Sequence, residues 1–251
     1  MEILNFNQFN EGLKVKLRGS KGVGHEIVFS KRTKSGSVKD VIYDDPIIKK
    51  GNVKKVVKKV VKQLGYDEGK VIYKGSGSFG SAFTIDGKAI KFTSDSSEAA
   101  LAMKMVKITE KNCPDYIIKY YGVYKLKSKK LNDDIYVIIM DEVELPNYNN
   151  GDDSPDFFFE ICRYVESEDG YTPDESDFES LHREYGYNVK DIEKWYNDLM
   201  NGKKYLNSKG IKSGDYHDGN IGFKKGHLVH FDMRNLGVEQ RTLKKLEDIL
   251  A

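Results

Sequence analysis

Three glycines in Gly75-Ser-Gly77-Ser-Phe-Gly80, followed eleven residues later by Lys91, constrain this 251-residue chain more than any other stretch. The flanks at 70–73 and 82–85 read as strands, and Asp86-Gly87 supplies a two-residue hairpin turn. The next strand, Ala89-Ile-Lys91, therefore returns directly toward the glycines. Residues without side chains let such a hairpin lie flat and offer backbone N–H groups to phosphate oxygens. A dinucleotide-binding unit would need the glycines to open a helix, with an acidic residue about 20 positions on. Two strand-like flanks argue against that. Taken alone, the pattern also fits a plain glycine-rich hairpin.

A second constellation lies further along, in Gly210-Ile-Lys-Ser-Gly-Asp215-Tyr-His217-Asp-Gly-Asn220 and His230-Phe-Asp232-Met-Arg234. Phosphoryl transfer from a nucleotide uses one carboxylate to orient and deprotonate the attacking hydroxyl, and an amide oxygen and a second carboxylate to hold Mg²⁺ on the phosphates. In order and spacing these residues resemble the protein-kinase superfamily, whose Gly-rich loop, Val-Ala-x-Lys strand, Asp/Asn catalytic loop and Asp-Phe-Gly follow one another. The resemblance implies an α+β, two-lobed protein kinase-like fold with a five-stranded small lobe and a reduced, mainly helical large lobe. It also implies ATP and Mg²⁺ as cofactors. Asp215 takes the place of the base and Lys91 that of the catalytic lysine, with Asn220 and Asp232 as metal ligands. Nucleotide contacts fall to Gly75, Gly77, Gly80, Ala89, Lys91, Glu98, Asp141 and Val143, since Met140-Asp-Glu-Val143 resembles the hinge whose backbone holds adenine. Glu98 is preferred over Glu110 as the partner of Lys91. The competing role for Glu98 is to cap its own helix, because Asp95-Ser-Ser-Glu98 has capping-box spacing.

The chain also departs from that pattern. Ser213-Gly214 stands where the family has His-Arg, Asp232 is followed by Met and Arg, and 17 residues follow Arg234 without an Ala-Pro-Glu segment. A reduced large lobe without phosphate-read activation is the expectation. Gly214-Asp215-x-His217-x-x-Asn220 is similar to the loop of aminoglycoside phosphotransferases. Three functions compete: a kinase for Ser/Thr hydroxyls of proteins, a small-molecule kinase of the aminoglycoside type, and a nucleotide-binding pseudokinase. The presence of lysine, base, asparagine and metal aspartate favours an enzyme over the third, and the short segment after Arg234, against the acceptor-pocket helices of aminoglycoside-type relatives, favours the first over the second.

Hydrophobic residues make up 39% and charged residues 32% of the chain, and no apolar run reaches a membrane span, so a cytoplasmic protein is expected. Met1-Glu-Ile-Leu-Asn-Phe lacks the basic start of a signal peptide. Cys113 and Cys162 have no metal-ligand spacing and read as reduced packing residues. His182, His227 and His230 read as structural or surface groups. Residues 1–65 carry 15 Lys/Arg against 6 Asp/Glu, whereas 141–195 carry 17 acidic against 4 basic residues. The acidic block points to Lys/Arg-rich protein substrates, with Asp174, Glu175 and Asp177 as docking carboxylates. Phe6-Asn-Gln-Phe9-Asn-Glu11 resembles a leader of proteins packaged into the heads of tailed bacteriophages. It suggests a phage-encoded enzyme acting in host cytoplasm.

Three regions are expected: a basic extension (1–66), a small lobe (67–143) and a reduced large lobe (144–251). Short strands are expected near 13–17, 26–30 and 38–43. Asn52 would cap a helix with Val53, Val56, Val57, Val60, Val61 and Leu64 on one face and lysines on the other. A core stripe is the better reading than a nucleic-acid helix, since no aromatics interleave to stack bases. Further expectations are a helix over 95–110, strands over 116–125 and 134–140, and a helix over 156–167. An exposed loop over 168–178 and a helix over 189–206, with Trp195 in its core stripe, complete the chain.

Overall fold

The computed structural model describes residues 15–18, 25–29, 55–76, 80–93, 95–128, 135–148, 153–167, 171–232 and 234–235. Gly77, the leader-like Phe6–Glu11, the stretch 38–43 and Asn52 with Val53 lie outside the described residues. Two compact units emerge, one of residues 1–107, 120–142 and 239–251 and the other of residues 108–119 and 143–238.

The first unit is built on a sheet. Its strands are β1 (Val15–Arg18), β2 (His25–Phe29), β3 (Ile72–Ser76), β4 (Gly80–Ile85), β5 (Lys88–Thr93), β6 (Tyr120–Ser128) and β7 (Ile135–Asp141). They lie in the order β1-β2-β6-β7-β5-β4-β3. The five strands from β3 to β7 form the expected antiparallel array. Beyond it, β2 adds parallel to β6 and β1 pairs antiparallel with β2, so two strands of the basic extension lengthen the same sheet to seven among the described residues. Pairing with β2 occupies the β6 edge, which would otherwise present unpaired backbone groups. The β4–β5 turn has φ +48° at Asp86 and +73° at Gly87, the left-handed pair that a two-residue hairpin demands. Residues 116–119, expected as strand, form a turn in which the Ile117 N–H donates to the Pro114 carbonyl at 2.9 Å, and β6 starts at Tyr120.

Helix α1 (Lys55–Gln63) shows why the valine stripe exists. Val57, Val60 and Val61 are fully buried, packed with Phe83, Ile85, Ile90, Phe92, Ile135 and Val137. Each such valine contributes about 1.5–3 kcal/mol relative to exposure. The stripe is core, as its lack of aromatics suggested, and Lys62 on the opposite face pairs with Glu68 at 3.6 Å. Because strand side chains alternate, the covered face takes Ile90 and Phe92 while Ala89 and Lys91 point to the other face. Helix α2 (Ser96–Thr109) carries the buried Ala99 to Met103, Met105 and Val106.

The second unit is mainly helical, with α3 (Pro155–Glu166), α4 (Glu175–Tyr185) and α5 (Val189–Ser208). Two small antiparallel pairs complete it, β8 (Ser213–Gly214) with β11 (Arg234–Asn235), and β9 (Ile221–Lys224) with β10 (His227–His230). Ser154 caps α3 by accepting from the Phe157 N–H, and Pro155 occupies its first turn. Phe157, Phe158, Ile161, Cys162 and Val165 from α3 pack with Ile192, Tyr196 and Leu199 from α5. Trp195 meets Phe157, Phe158, Tyr187 and Phe223 at ring separations of 5.4–6.0 Å, so it is a packing residue. Helix α4 begins at Glu175, inside the segment expected to be loop, and only Phe178 and Leu181 of its residues are buried. So few apolar positions left no helical period to read. The legible signals were its ends: an Asp174/Asp177 capping box and Gly186 in the left-handed conformation at φ +80°. Among the described residues no helix is long and apolar enough to cross a membrane.

Candidate functional site

In the first unit, Lys91 sits on β5 between Ala82 of β4 and Ile138 of β7. Its Nζ lies 2.6 Å from Oε1 of Glu98 in the first turn of α2, both side chains being largely buried. Glu110 is exposed past the end of α2. The capping alternative for Glu98 fails at a definite bond. Asp95 caps α2 by accepting from the backbone N–H groups of Ser97 (2.8 Å) and Glu98 (3.3 Å), but its own N–H donates to Thr93 Oγ1 at 3.1 Å. Thr93 thus fills the position that a capping-box glutamate would take, leaving the Glu98 carboxylate to the lysine.

The glycines have unequal reasons to be glycine. A Cβ on Gly80 would come 2.4 Å from the Phe92 carbonyl oxygen, so close strand approach requires Gly80 for packing. Gly75 has open space at that position and is half-buried beside a β-bulge between Tyr73 and Gly75. Ala89 pairs across the sheet with Thr84 and Met140. Asp141 closes β7, and its Oδ1 accepts from the Tyr121 hydroxyl at 2.6 Å and lies 3.4 Å from Lys88 Nζ. That ammonium also lies 3.7 Å from the Tyr121 ring centroid. The Asp141 side chain is therefore committed to the sheet.

In the second unit, Asp215, Asn220 and Asp232 are brought together by backbone pairing. Gly214 pairs with Arg234, so Asp215 directly follows one member of that pair and Asp232 lies two residues before the other. The Phe231 N–H donates to the Asn220 carbonyl at 2.9 Å, and Asn220 Nδ2 donates to the Asp215 carbonyl at 2.9 Å. Asp215 has φ +68°, a left-handed conformation uncommon for a residue with a side chain. Strain of this kind persists only where neighbours over-determine it. Val143 and Glu144 run against β9: Glu144 and Phe223 exchange N–H···O bonds of 2.9 and 2.7 Å, and a Cβ on Gly222 would meet the Val143 side chain at 3.0 Å.

Tyr148 and Glu166 hold this loop and were not singled out from sequence. Tyr148 donates its hydroxyl to the Asp218 carbonyl at 3.2 Å, and the Tyr216 N–H donates to Glu166 Oε1 at 2.9 Å. His217 accepts the Gly219 N–H on Nδ1 at 3.0 Å, a local turn bond. His230 is buried and stacked on Tyr216 at 4.1 Å, and burial pushes its pKa down to about 4 against the weaker pull of the Asp215 backbone and the Asp232 and Asp215 carboxylates. His227 is structural: it meets Asp198 Oδ1 at 2.9 Å, while the Leu228 N–H donates to Asp198 Oδ2 at 3.1 Å. Tyr148 and Glu166 lie 70 and 50 residues from their partners in sequence, so no local spacing announces them.

The donor set fits Mg²⁺ shared with a nucleotide. The Asn220 amide nitrogen is committed to Asp215, which leaves its oxygen as the end for a cation, and Asp232 adds a carboxylate. Mg²⁺ is commonly held by one or two such oxygens plus substrate phosphates rather than by an all-protein cage. Among the described residues no group of three or more His, Cys, Asp or Glu side chains is placed to hold a metal.

No protein-family model and no curated protein sequence matches the chain. Among solved structures, the streptomycin–ATP ternary complex of APH(2″)-IIa is 12% identical, covers 79% of this chain and 82% of its own, and has a TM-score of 0.33. The ADP-bound aminoglycoside phosphotransferase APH(2″)-Ib is 11% identical over 78% of this chain and 81% of its own, with a TM-score of 0.30. At that distance the likeness says nothing of substrate.

Proposed function

We propose that the chain is an ATP- and Mg²⁺-dependent phosphotransferase acting on a hydroxyl group. The backbone bonds that tie Asp215 to Asn220 and Asn220 to the Phe231–Asp232 segment, with Asp215 in a left-handed backbone conformation, carry the reading. Asp215 orients the acceptor hydroxyl and takes its proton, while Asn220 and Asp232 hold the metal. Lys91, kept in place by Glu98, serves the α- and β-phosphates. Mg²⁺ supplies neutralisation of the charge on the phosphates.

The acceptor proposed first is a Ser or Thr hydroxyl in a Lys/Arg-rich protein segment, on the strength of the 17 acidic residues between 141 and 195. A small-molecule hydroxyl is the second reading, favoured by Gly214-Asp215-x-His217-x-x-Asn220. The test is incubation with labelled ATP and Mg²⁺, alone, with basic, neutral and acidic peptides, and with an aminoglycoside panel. Label on basic peptides, weakening as salt rises, supports the first acceptor, and label on aminoglycosides the second. Nucleotide binding without transfer to anything, a bacterial lysate included, would replace the enzyme by a nucleotide-binding protein.

A further inference from the structure

We propose that Glu166 is a positioning residue for Asp215, holding one peptide unit in concert with Asn220; the inference rests on the phosphotransferase reading. The Asp215 carbonyl and the Tyr216 N–H belong to the same peptide group. Asn220 Nδ2 donates to that carbonyl at 2.9 Å, and Glu166 Oε1 accepts from that N–H at 2.9 Å. Both poles of the peptide are gripped by side chains, one from five residues ahead and one from fifty residues behind. A hydrogen bond to an ionised acceptor is stronger than a neutral one. The peptide so fixed sets ψ of Asp215, the residue whose φ of +68° most L-residues avoid.

Glu166 is exposed, but the backbone that carries it is anchored. It ends α3, and the preceding Val165 is buried in the unit's core and has its carbonyl capped by Lys203 Nζ of α5 at 2.6 Å. On the other side, the Tyr216 ring is buried and stacked on His230 with an interplanar angle of 25°. The peptide between Asp215 and Tyr216 thus cannot rotate without breaking a charge-assisted bond, the Asn220 bond or the ring stack. Glu166 touches no reacting atom; it acts through the direction in which Asp215 points.

The test compares Glu166→Ala with Glu166→Gln, which keeps an acceptor oxygen, in the full chain. For Glu166→Ala, kcat should fall roughly 10- to 100-fold, the scale of a misplaced catalytic group, with KM for ATP changed less than about twofold. Glu166→Gln should recover most of the rate, and both variants should melt close to wild type. Hydrogen exchange at the Tyr216 amide, measured without nucleotide, should be slow in wild type and Glu166→Gln and fast in Glu166→Ala. Wild-type kcat in Glu166→Ala would overturn the proposal. So would equal losses in both variants accompanied by lower melting temperatures, since those would mark a purely structural contact. A wild-type chain that transfers phosphate to no acceptor would sink the phosphotransferase reading instead. The exchange result then decides the grip by itself, and unchanged Tyr216 protection in Glu166→Ala would end it.

Discussion

Lys91 in the first unit and Asp215 in the second are held by opposite means. Lys91 lies on a regular strand, its backbone paired on both sides, and its reach is set by a side-chain partner, Glu98, at 2.6 Å. Asp215 lies in a backbone conformation that strands and helices do not use, and its partners grip the backbone: Asn220 its carbonyl and Glu166 the following N–H. A lysine needs only its charge delivered to a phosphate, so a flexible stem steered by one carboxylate suffices. A base must meet a hydroxyl at a set distance and angle, and a short aspartate has little freedom beyond its own backbone. Substitutions around Lys91 should therefore redirect one side chain, and substitutions around Asp215 should redirect the chain.

The largest effects should come from the carboxylates of the second unit. Asp215→Ala should lower the transfer rate about 10²–10⁴-fold, the usual contribution of a positioned base, while leaving Mg²⁺-dependent nucleotide binding nearly intact. Asp232→Ala should lose both. Steady-state kinetics beside calorimetric titration with Mg²⁺ and a non-hydrolysable nucleotide separates the two, and full turnover by either variant would remove it from its role.

In the first unit, Glu98→Gln removes the charge that steers Lys91 and should cost roughly tenfold or more in rate. Glu110→Gln should have no measurable effect, because Glu110 is exposed past the end of α2. Equal rates for the two variants would mean that the 2.6 Å pair is not used in turnover.

That contrast also explains what could be read from sequence. Lys91 and Glu98 lie on adjacent elements joined by one short turn, so the partner could be named, and only the competition with helix capping needed Thr93 to resolve it. The antiparallel strands around Asp86-Gly87 and the core stripe of α1 were legible for the same local reason. The grip on the Asp215 loop was not, because Glu166 and Tyr148 reach across dozens of residues and each looks like an ordinary surface or aromatic residue in its own segment. Nor was the pairing of β2 with β6, since two short apolar stretches do not state which edge they join. Gly80 taught a further lesson: a glycine inside a phosphate-loop pattern is required there by the Phe92 carbonyl.

A smaller and purely structural contrast concerns how the second unit keeps its hairpin. Asp198 of α5 is buried and holds Leu228 N–H and His227, so Asp198→Ala should cost about 1–3 kcal/mol, mainly through the unpaired Leu228 N–H. Cys162 reports the opening. Burial, with Asp218 and Glu166 adding, pushes its thiol up to about 12, so at pH 8 it reacts only when the unit opens. Alkylation of Cys162 should speed up in Asp198→Ala, and unchanged labelling would show that the hairpin does not depend on Asp198. The sign of the pH effect follows from the same shift. Above pH 9 the unfolded thiol ionises while the folded one stays neutral until about 12, so stability falls as pH rises through that window.

The smallest effect expected is at Asp174, where docking and helix capping make different demands on the same carboxylate. Its Oδ1 accepts from the Ser176 N–H at 2.8 Å, the Ser176 hydroxyl at 2.7 Å and the Asp177 N–H at 3.3 Å, while Asp177 Oδ2 accepts from the Asp174 N–H at 2.8 Å. Asp177 also takes the Tyr171 hydroxyl. The Ser176 bonds hold the Asp174 carboxyl below its ordinary value, so its help to α4 is present at neutral pH and fades only as pH falls through that lowered value. A carboxylate so engaged has little left for a basic peptide, whereas Glu175 beside it is exposed. Asp174→Ala should lower the melting temperature slightly, and Asp174→Ser, which keeps a capping oxygen, should restore it. Neither should alter the ranking of basic over neutral peptides at low salt, while Glu175→Gln should narrow it. A collapse of that ranking in Asp174→Ala with α4 intact by circular dichroism would return Asp174 to the docking surface.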